Sequence, residues 1–180
     1  MSNTTINLAG LPHLAEVFEQ LRRGRHICVF DAELYRALSQ NEDQFVALFT
    51  ALGFELVSHR RDFYYFRSRQ KPSDSATRMT LFVFILVEWL SNRGQDVEES
   101  LLNDTFLMDD LPHFANERHK RIMNEAGVET TEDLERVVVQ LERYGYASRP
   151  PAATTFQFRP PVCRFLDICL DVLAEQEGQA

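Results

Sequence analysis

The stretch NEDQFVALFTALGFELVSHRRDFYYFR, residues 41–67, contains the change of pattern that decides the fold. Up to Leu52 the apolar residues recur every three or four positions, which predicts a helix that ends at Gly53. Beyond Gly53 the period becomes two, in FELVSH and FYYFRS, and aromatic and β-branched side chains dominate. Such runs favour strands, so the polar turn at residues 60–62 predicts a β-hairpin with a basic tip.

The residues before this stretch predict the rest of a small domain. Helical apolar spacing, interrupted by one short run of strand formers, predicts a helix over 11–23, a strand over 26–30 and a second helix over 32–38. Asp31 is expected to cap the second helix, and Asn41 with Gln44 forms a predicted capping pair for the third. Helix, strand, helix, helix, hairpin is the order of a winged-helix domain.

The polar segment RQKPSDSA, residues 69–76, predicts a linker, after which the same order recurs. The second half predicts two helices, over 77–93 and 97–102. A third helix is expected to begin at Asp110 and Pro112 and to end at Gly127, and a fourth to begin at Thr130 and Asp133 and to end at Gly145. Two strands, YASR and TTFQFR, and a closing helix over 162–175 complete the predicted order. The predicted fold class is therefore α+β, mainly helical with small β wings, as tandem winged-helix domains over residues 1–68 and 77–180.

Composition and charge exclude several classes of protein. The 180 residues are 44% hydrophobic and 26% charged, which is typical of a globular chain rather than a disordered one. The longest apolar run, residues 81–87, is too short to span a bilayer, and no leader is visible, so we expect no membrane partner and a cytoplasmic location. The three cysteines lie in apolar runs and are expected to be buried thiols.

No pattern in the sequence indicates an active site. Phosphate-binding, dinucleotide-binding and nucleophile-elbow motifs are absent. His113, Glu117 and His119 do not fall on one helical face, and Asp109 with Asp110 is explained as a helix cap. We therefore expect no catalytic residue, no metal and no cofactor, although an enzyme with an unrecognised site remains an alternative.

The net charge of −8 is unevenly distributed along the chain. Residues 1–90 carry ten basic and ten acidic side chains, whereas residues 91–180 carry nine and seventeen. In each predicted domain the third helix lacks the basic face that a protein needs to recognise DNA bases; the two helices are EDQFVALFTAL and EDLERVVVQLER. This argues against the alternative of a transcription regulator. Sequence-independent contact with duplex DNA is expected instead from Arg22, Arg23, Arg25, Arg60, Arg61, Arg67, Arg69 and Lys71, unless the hairpin is merely solvated.

Two apolar segments predict contact with a protein partner. The run TLFVFILVEWL, residues 80–90, is apolar on every side of its predicted helix. A partner or a second copy of the chain could therefore cover the apolar surface that the core of the domain leaves exposed. A shorter apolar run lies between acidic residues in the second half. The candidate partner-binding residues are Phe82, Phe84, Trp89, Phe106, Leu107 and Met108.

Four motifs carry a resemblance to a known family. The stretches LRRGRHI, DAELYRAL, FxxLFxxLGFEL and RDFYYF, within residues 21–66, resemble the amino-terminal half of MksE-type proteins. These are the MukE-like subunits of bacterial SMC (condensin) complexes, related to a subunit of Wadjet anti-plasmid systems. The tandem winged-helix order is similar to that of the KITE proteins, the kleisin-interacting tandem winged-helix elements.

The resemblance implies a non-enzymatic homodimer that binds the kleisin subunit, bridges it to the SMC ATPase and helps to hold duplex DNA. ATP hydrolysis would belong to the SMC partner, so the family has no catalytic residue to carry over to this chain. The implied role is chromosome organisation or plasmid defence, and the implied location is the cytoplasm, in association with the nucleoid.

Overall fold

The structure, a computed structural model, describes residues 10–68 and 71–168. The chain divides into two compact units, Met1–Gln70 and Lys71–Ala180, each with its own hydrophobic core. Both units combine helices with a small antiparallel sheet, so the predicted fold class is confirmed.

The first unit has the predicted order of elements. Its helices and strands are α1 (Leu14–Arg22), β1 (Ile27–Cys28), α2 (Ala32–Gln40), α3 (Glu42–Ala51), β2 (Leu56–His59) and β3 (Phe63–Phe66). The strands are antiparallel in the order β1-β3-β2, with Leu56 opposite Phe66 and His59 opposite Phe63. The predicted hairpin is thus present, and Asp62 adopts a φ of 58° in its turn.

An aromatic cluster joins α3 to the hairpin. Gly53, with a φ of 85°, ends the helix and lets the chain reverse, and the Phe54 N–H then donates to the Phe49 carbonyl at 2.8 Å. The Phe66 ring meets Phe49 edge-on at 5.0 Å between centroids and stacks on Phe54 at 4.9 Å. Phe18 of α1 contacts the same rings, so the wing is fastened to the helices by apolar packing.

The predicted caps of α2 and α3 do not form. Asp31 precedes α2, but its carboxylate accepts from the backbone of Cys28 and from Arg25 instead. Only Asn41 separates α2 from α3, and its amide donates to the Ala37 carbonyl at 3.0 Å, so it binds the end of α2 rather than the start of α3. The capping pair predicted with Gln44 is therefore wrong.

The second unit repeats this arrangement, with an additional helix before its first strand and a further helical segment after its last. Its elements are α4 (Asp74–Asn92), α5 (Val97–Asn103), β4 (Phe106–Leu107), α6 (Glu117–Glu125), α7 (Thr131–Arg143), β5 (Ala147–Ser148) and β6 (Thr155–Phe158). The strands lie in the order β4-β6-β5, which matches β1-β3-β2. Residues 163–168 are helical, and the remainder of the predicted closing helix falls outside the described residues.

Two predicted boundaries in the second unit are wrong. Helix α4 begins at Asp74, because the Ser73 hydroxyl accepts from the Ala76 N–H, so the helix takes in the last residues of the predicted linker. The helix expected from Asp110 begins instead at Glu117, after short 3₁₀ turns and the cap Asn116. The predicted capping box of Thr130 and Asp133 is confirmed.

Candidate functional site

A cleft of about 280 Å³ opens in the second unit between α4 and β4. Most of the side chains that line it are apolar: Leu86, Trp89 and Leu90 from α4, Phe106 and Leu107 from β4, and Leu111 and Pro112 beyond it. Gln95, Asp104, Thr105 and Asp110 add polar groups to the lining. The cleft therefore combines an apolar interior with two carboxylates, which suits a protein segment that carries both apolar and basic side chains.

The structure brings three of the predicted partner-binding residues to this cleft. Trp89, Phe106 and Leu107 all line it, although they are far apart in sequence. The Arg93 guanidinium lies 4.5 Å from the centre of the Trp89 ring, so a cation–π contact covers part of the indole. Phe84 is 37% exposed on α4 but does not line the cleft.

Three predicted partner-binding residues, one of which also lines the cleft, belong to the core of the second unit. Phe82, Phe106 and Met108 are buried, with exposed fractions of 0%, 7% and 5%. Phe106 stacks on Phe156 of β6 at 5.5 Å, which shows that the apolar run after Asp104 is a strand of the sheet rather than an exposed knot. Phe82 and Met108 are therefore core residues of this unit, and Phe106 is a core residue that also forms part of the cleft wall.

The apolar character of α4 is explained mainly within its own unit. Its buried side chains are Met79, Phe82, Val83, Ile85, Leu86 and Leu90. His113 stacks on Phe82 with ring centres 4.1 Å apart. It therefore covers the Phe82 ring, which was predicted to contact a partner. A second copy is therefore not needed to bury this helix.

His113 is a buried polar residue next to the cleft wall. Its Nε2 hydrogen bonds to the Phe82 carbonyl at 2.9 Å, and burial lowers the pKa of the ring to about 4. Nearby, His119 Nε2 lies 3.6 Å from a Glu88 oxygen. No three histidine, cysteine or carboxylate side chains in the described part of the chain are arranged to hold a metal ion.

Several of the predicted DNA-binding residues, namely Arg22, Arg23, Arg25 and Arg67, form ion pairs within the first unit. Glu19 pairs with both Arg22 and Arg23, with nitrogen–oxygen distances of 3.1 and 2.6 Å. Arg25 pairs with Asp31 at 3.1 Å, and Arg67 with Glu55 at 2.6 Å. The spacing of Glu19 three and four residues before its arginines was a sequence signal for this neutralisation.

The remaining basic candidates lie at the hairpin tip and after it. Arg60 and Arg61 occupy the turn between β2 and β3, and Lys71 is exposed at the start of the second unit. Arg69 lies outside the described residues. Arg60 and Arg61 are therefore adjacent at the tip of the hairpin.

The surface of α3 is apolar and acidic. An apolar groove of about 420 Å³ runs between α1 and α3, and its lining includes Leu14, Phe18 and Leu52. Leu52, predicted to face the core, is 56% exposed. At the other end of α3, Glu42 accepts a hydrogen bond from the Tyr64 hydroxyl at 2.6 Å. A helix with this surface does not suit the phosphate backbone.

Comparison with known proteins identifies the family. No helix in the described ranges has the length and apolar character needed to cross a membrane. No curated protein matches the chain. The family model described as condensin complex protein MksE matches residues 12–170, which extend across both units. The chain therefore belongs to the MksE family of condensin complex proteins.

Proposed function

We propose that this protein is a non-catalytic accessory subunit that binds the kleisin of its condensin complex and thereby links it to the SMC ATPase. Family membership supports the assignment to the complex. The cleft between α4 and β4 is the observation that carries the binding role, because an aromatic ring and aliphatic side chains can hold the apolar anchors of a bound segment. The complex would act in chromosome organisation or plasmid defence.

Co-purification from the native cell tests this function. A tagged chain should retain a kleisin and an SMC ATPase, identified by mass spectrometry. Trp89→Ala should lower kleisin retention by about tenfold or more, as expected for loss of an aromatic anchor. Phe84→Ala is the matched control, since Phe84 lies on the same helix but does not line the cleft. Retention that Trp89→Ala leaves unchanged would place the kleisin elsewhere.

We also propose weak, sequence-independent contact between the hairpin tip and duplex DNA. This proposal is supported by the position of Arg60 and Arg61 in the short turn between β2 and β3, and Lys71 is a further cation. In the assembled complex, Arg60→Gln with Arg61→Gln should reduce the slope of log affinity against log salt by about 2. The same changes at Arg22 and Arg23 are the matched control and should have a smaller effect, because these residues lie at the end of α1 and not in the hairpin turn. Equal effects would contradict a specific role for the tip.

We propose, finally, that the subunit is a homodimer, as the family resemblance implies. The apolar groove between α1 and α3 supports this more directly than α4 does, because α4 is buried within its unit. Light scattering at micromolar concentration should give twice the chain mass of 20.9 kDa. Leu52→Asp should shift that mass toward one chain if the groove forms the interface, whereas Val139→Asp, at another exposed apolar residue, should not. A wild-type mass of one chain would refute the dimer.

A further inference from the structure

The edge of the sheet in the first unit is closed by a side chain. Strand β1 is an edge strand, in which Cys28 lies opposite Phe63. The Cys28 N–H donates to the Asp31 carboxylate at 3.2 Å, and the Asp31 N–H donates to the Cys28 carbonyl at 2.8 Å. Asp31 therefore occupies the backbone groups of Cys28 that point away from β3, which is a common way of protecting a strand edge.

At the equivalent edge in the second unit, a 3₁₀ turn follows the strand, but the described residues provide no side-chain acceptor for the strand N–H. Leu107 of β4 lies opposite Thr155, just as Cys28 lies opposite Phe63. The Met108 N–H donates to the Thr154 carbonyl at 2.9 Å. Because neighbouring residues of an antiparallel strand point in alternate directions, the Leu107 N–H points away from β6.

Asp110 follows Leu107 by three residues, as Asp31 follows Cys28. However, no side chain of the described residues accepts a hydrogen bond from the Leu107 N–H. Asp110 lines the cleft instead, together with Asp104. The backbone donor, the apolar cleft and the two carboxylates consequently lie side by side at this edge.

We infer that the outer edge of β4 is a strand-addition site for an extended partner segment with a bulky apolar side chain beside a lysine or arginine. The Leu107 N–H would donate to the segment backbone, the cleft would hold the apolar side chain, and Asp104 and Asp110 would pair with the cation. The inference rests on the proposed function, because it describes how the binding subunit holds its partner.

A random linear peptide library, displayed on phage and selected on the full-length protein, tests this site. Enriched peptides should contain an apolar residue next to lysine or arginine, and binding should slow amide exchange at Leu107. Leu107→Pro removes that N–H together with the leucine side chain, and the φ of about −65° that proline prefers is near the observed φ of −91°. It should weaken the best peptide by about tenfold, as loss of one main-chain hydrogen bond allows. Leu107→Ala keeps the N–H and should cost less.

Charge variants provide an independent test. Asp104→Asn with Asp110→Asn should weaken the same peptide and abolish selection for lysine and arginine. Glu132→Gln, on the exposed start of α7, is the matched control. If circular dichroism shows that Leu107→Pro does not fold, the charge variants and the amide exchange at Leu107 decide whether the peptide binds at β4.

The outcomes separate this inference from the proposed function. Absence of enriched peptides, enrichment of acidic peptides or equal binding by folded Leu107→Pro would overturn strand addition, even if a kleisin co-purifies. Peptides that require both the Leu107 N–H and the two carboxylates would support strand addition, even if co-purification rules out a kleisin as the partner.

Discussion

His113 makes the second unit sensitive to acid. In the folded protein burial lowers the pKa of this ring from 6.5 to about 4, so the folded state binds the proton less readily than the unfolded state. Stability should therefore fall as the pH decreases from 6.5 to about 4, with a contribution of about 3 kcal/mol from this residue. Urea denaturation across that range measures the loss.

His113→Phe is the control for this prediction, because it retains an aromatic ring against Phe82 but cannot bind a proton. The variant should lose less stability than the wild type between neutral pH and pH 4. Identical pH dependence in the two proteins would assign the acid sensitivity to another group.

The hydrogen bond from Tyr64 to Glu42 connects the hairpin to the start of α3. Burial, and then the Glu42 carboxylate, raise the pKa of Tyr64, so the hydroxyl remains a donor at neutral pH. Tyr64→Phe should lower the free energy of unfolding by about 1–3 kcal/mol, because the acceptor is charged. Tyr35→Phe, which breaks a longer bond of 3.2 Å to exposed Asp62, should cost less in the same denaturation experiment. The reverse order would contradict the role assigned to Glu42.

The capping box at the start of α7 has a measurable contribution to helix stability. The Thr130 hydroxyl accepts from the Asp133 N–H, and the Asp133 carboxylate accepts from the Thr130 N–H. Thr130→Ala should therefore destabilise the protein by about 1 kcal/mol, seen as a lower thermal midpoint. Thr131→Ala, at the exposed next position, is the control and should change the midpoint little.

The elements that were predicted well are those whose signals are local. Periodicity and a glycine defined α3 and the hairpin, and a capping box defined α7. By contrast, β4 is only two residues long and is stabilised by pairing with β6, about fifty residues away in sequence, so no local pattern could identify it. The cleft was missed for the same reason, although the sequence singled out two of the residues that line it, Trp89 and Leu107, as candidates for partner binding.

Each unit contains enough buried apolar side chains to form a core by itself. The larger cluster lies wholly within residues 71–180 and includes side chains from α4, α5, α6 and α7. A fragment of residues 71–180 should therefore fold cooperatively and show helical circular dichroism. A fragment that remains unfolded would mean that the second unit depends on the first.

The position of Trp89 makes the cleft observable without a label. It is the single tryptophan of the chain, and Arg93 lies over its ring at the cleft wall. Its fluorescence therefore reports the cleft selectively, against a background of tyrosine. Displacement of Arg93 or water by an apolar side chain should shift the emission to shorter wavelength, and a titration of that shift would measure occupancy directly. Partner binding with an unchanged spectrum would indicate that the bound segment does not reach the indole.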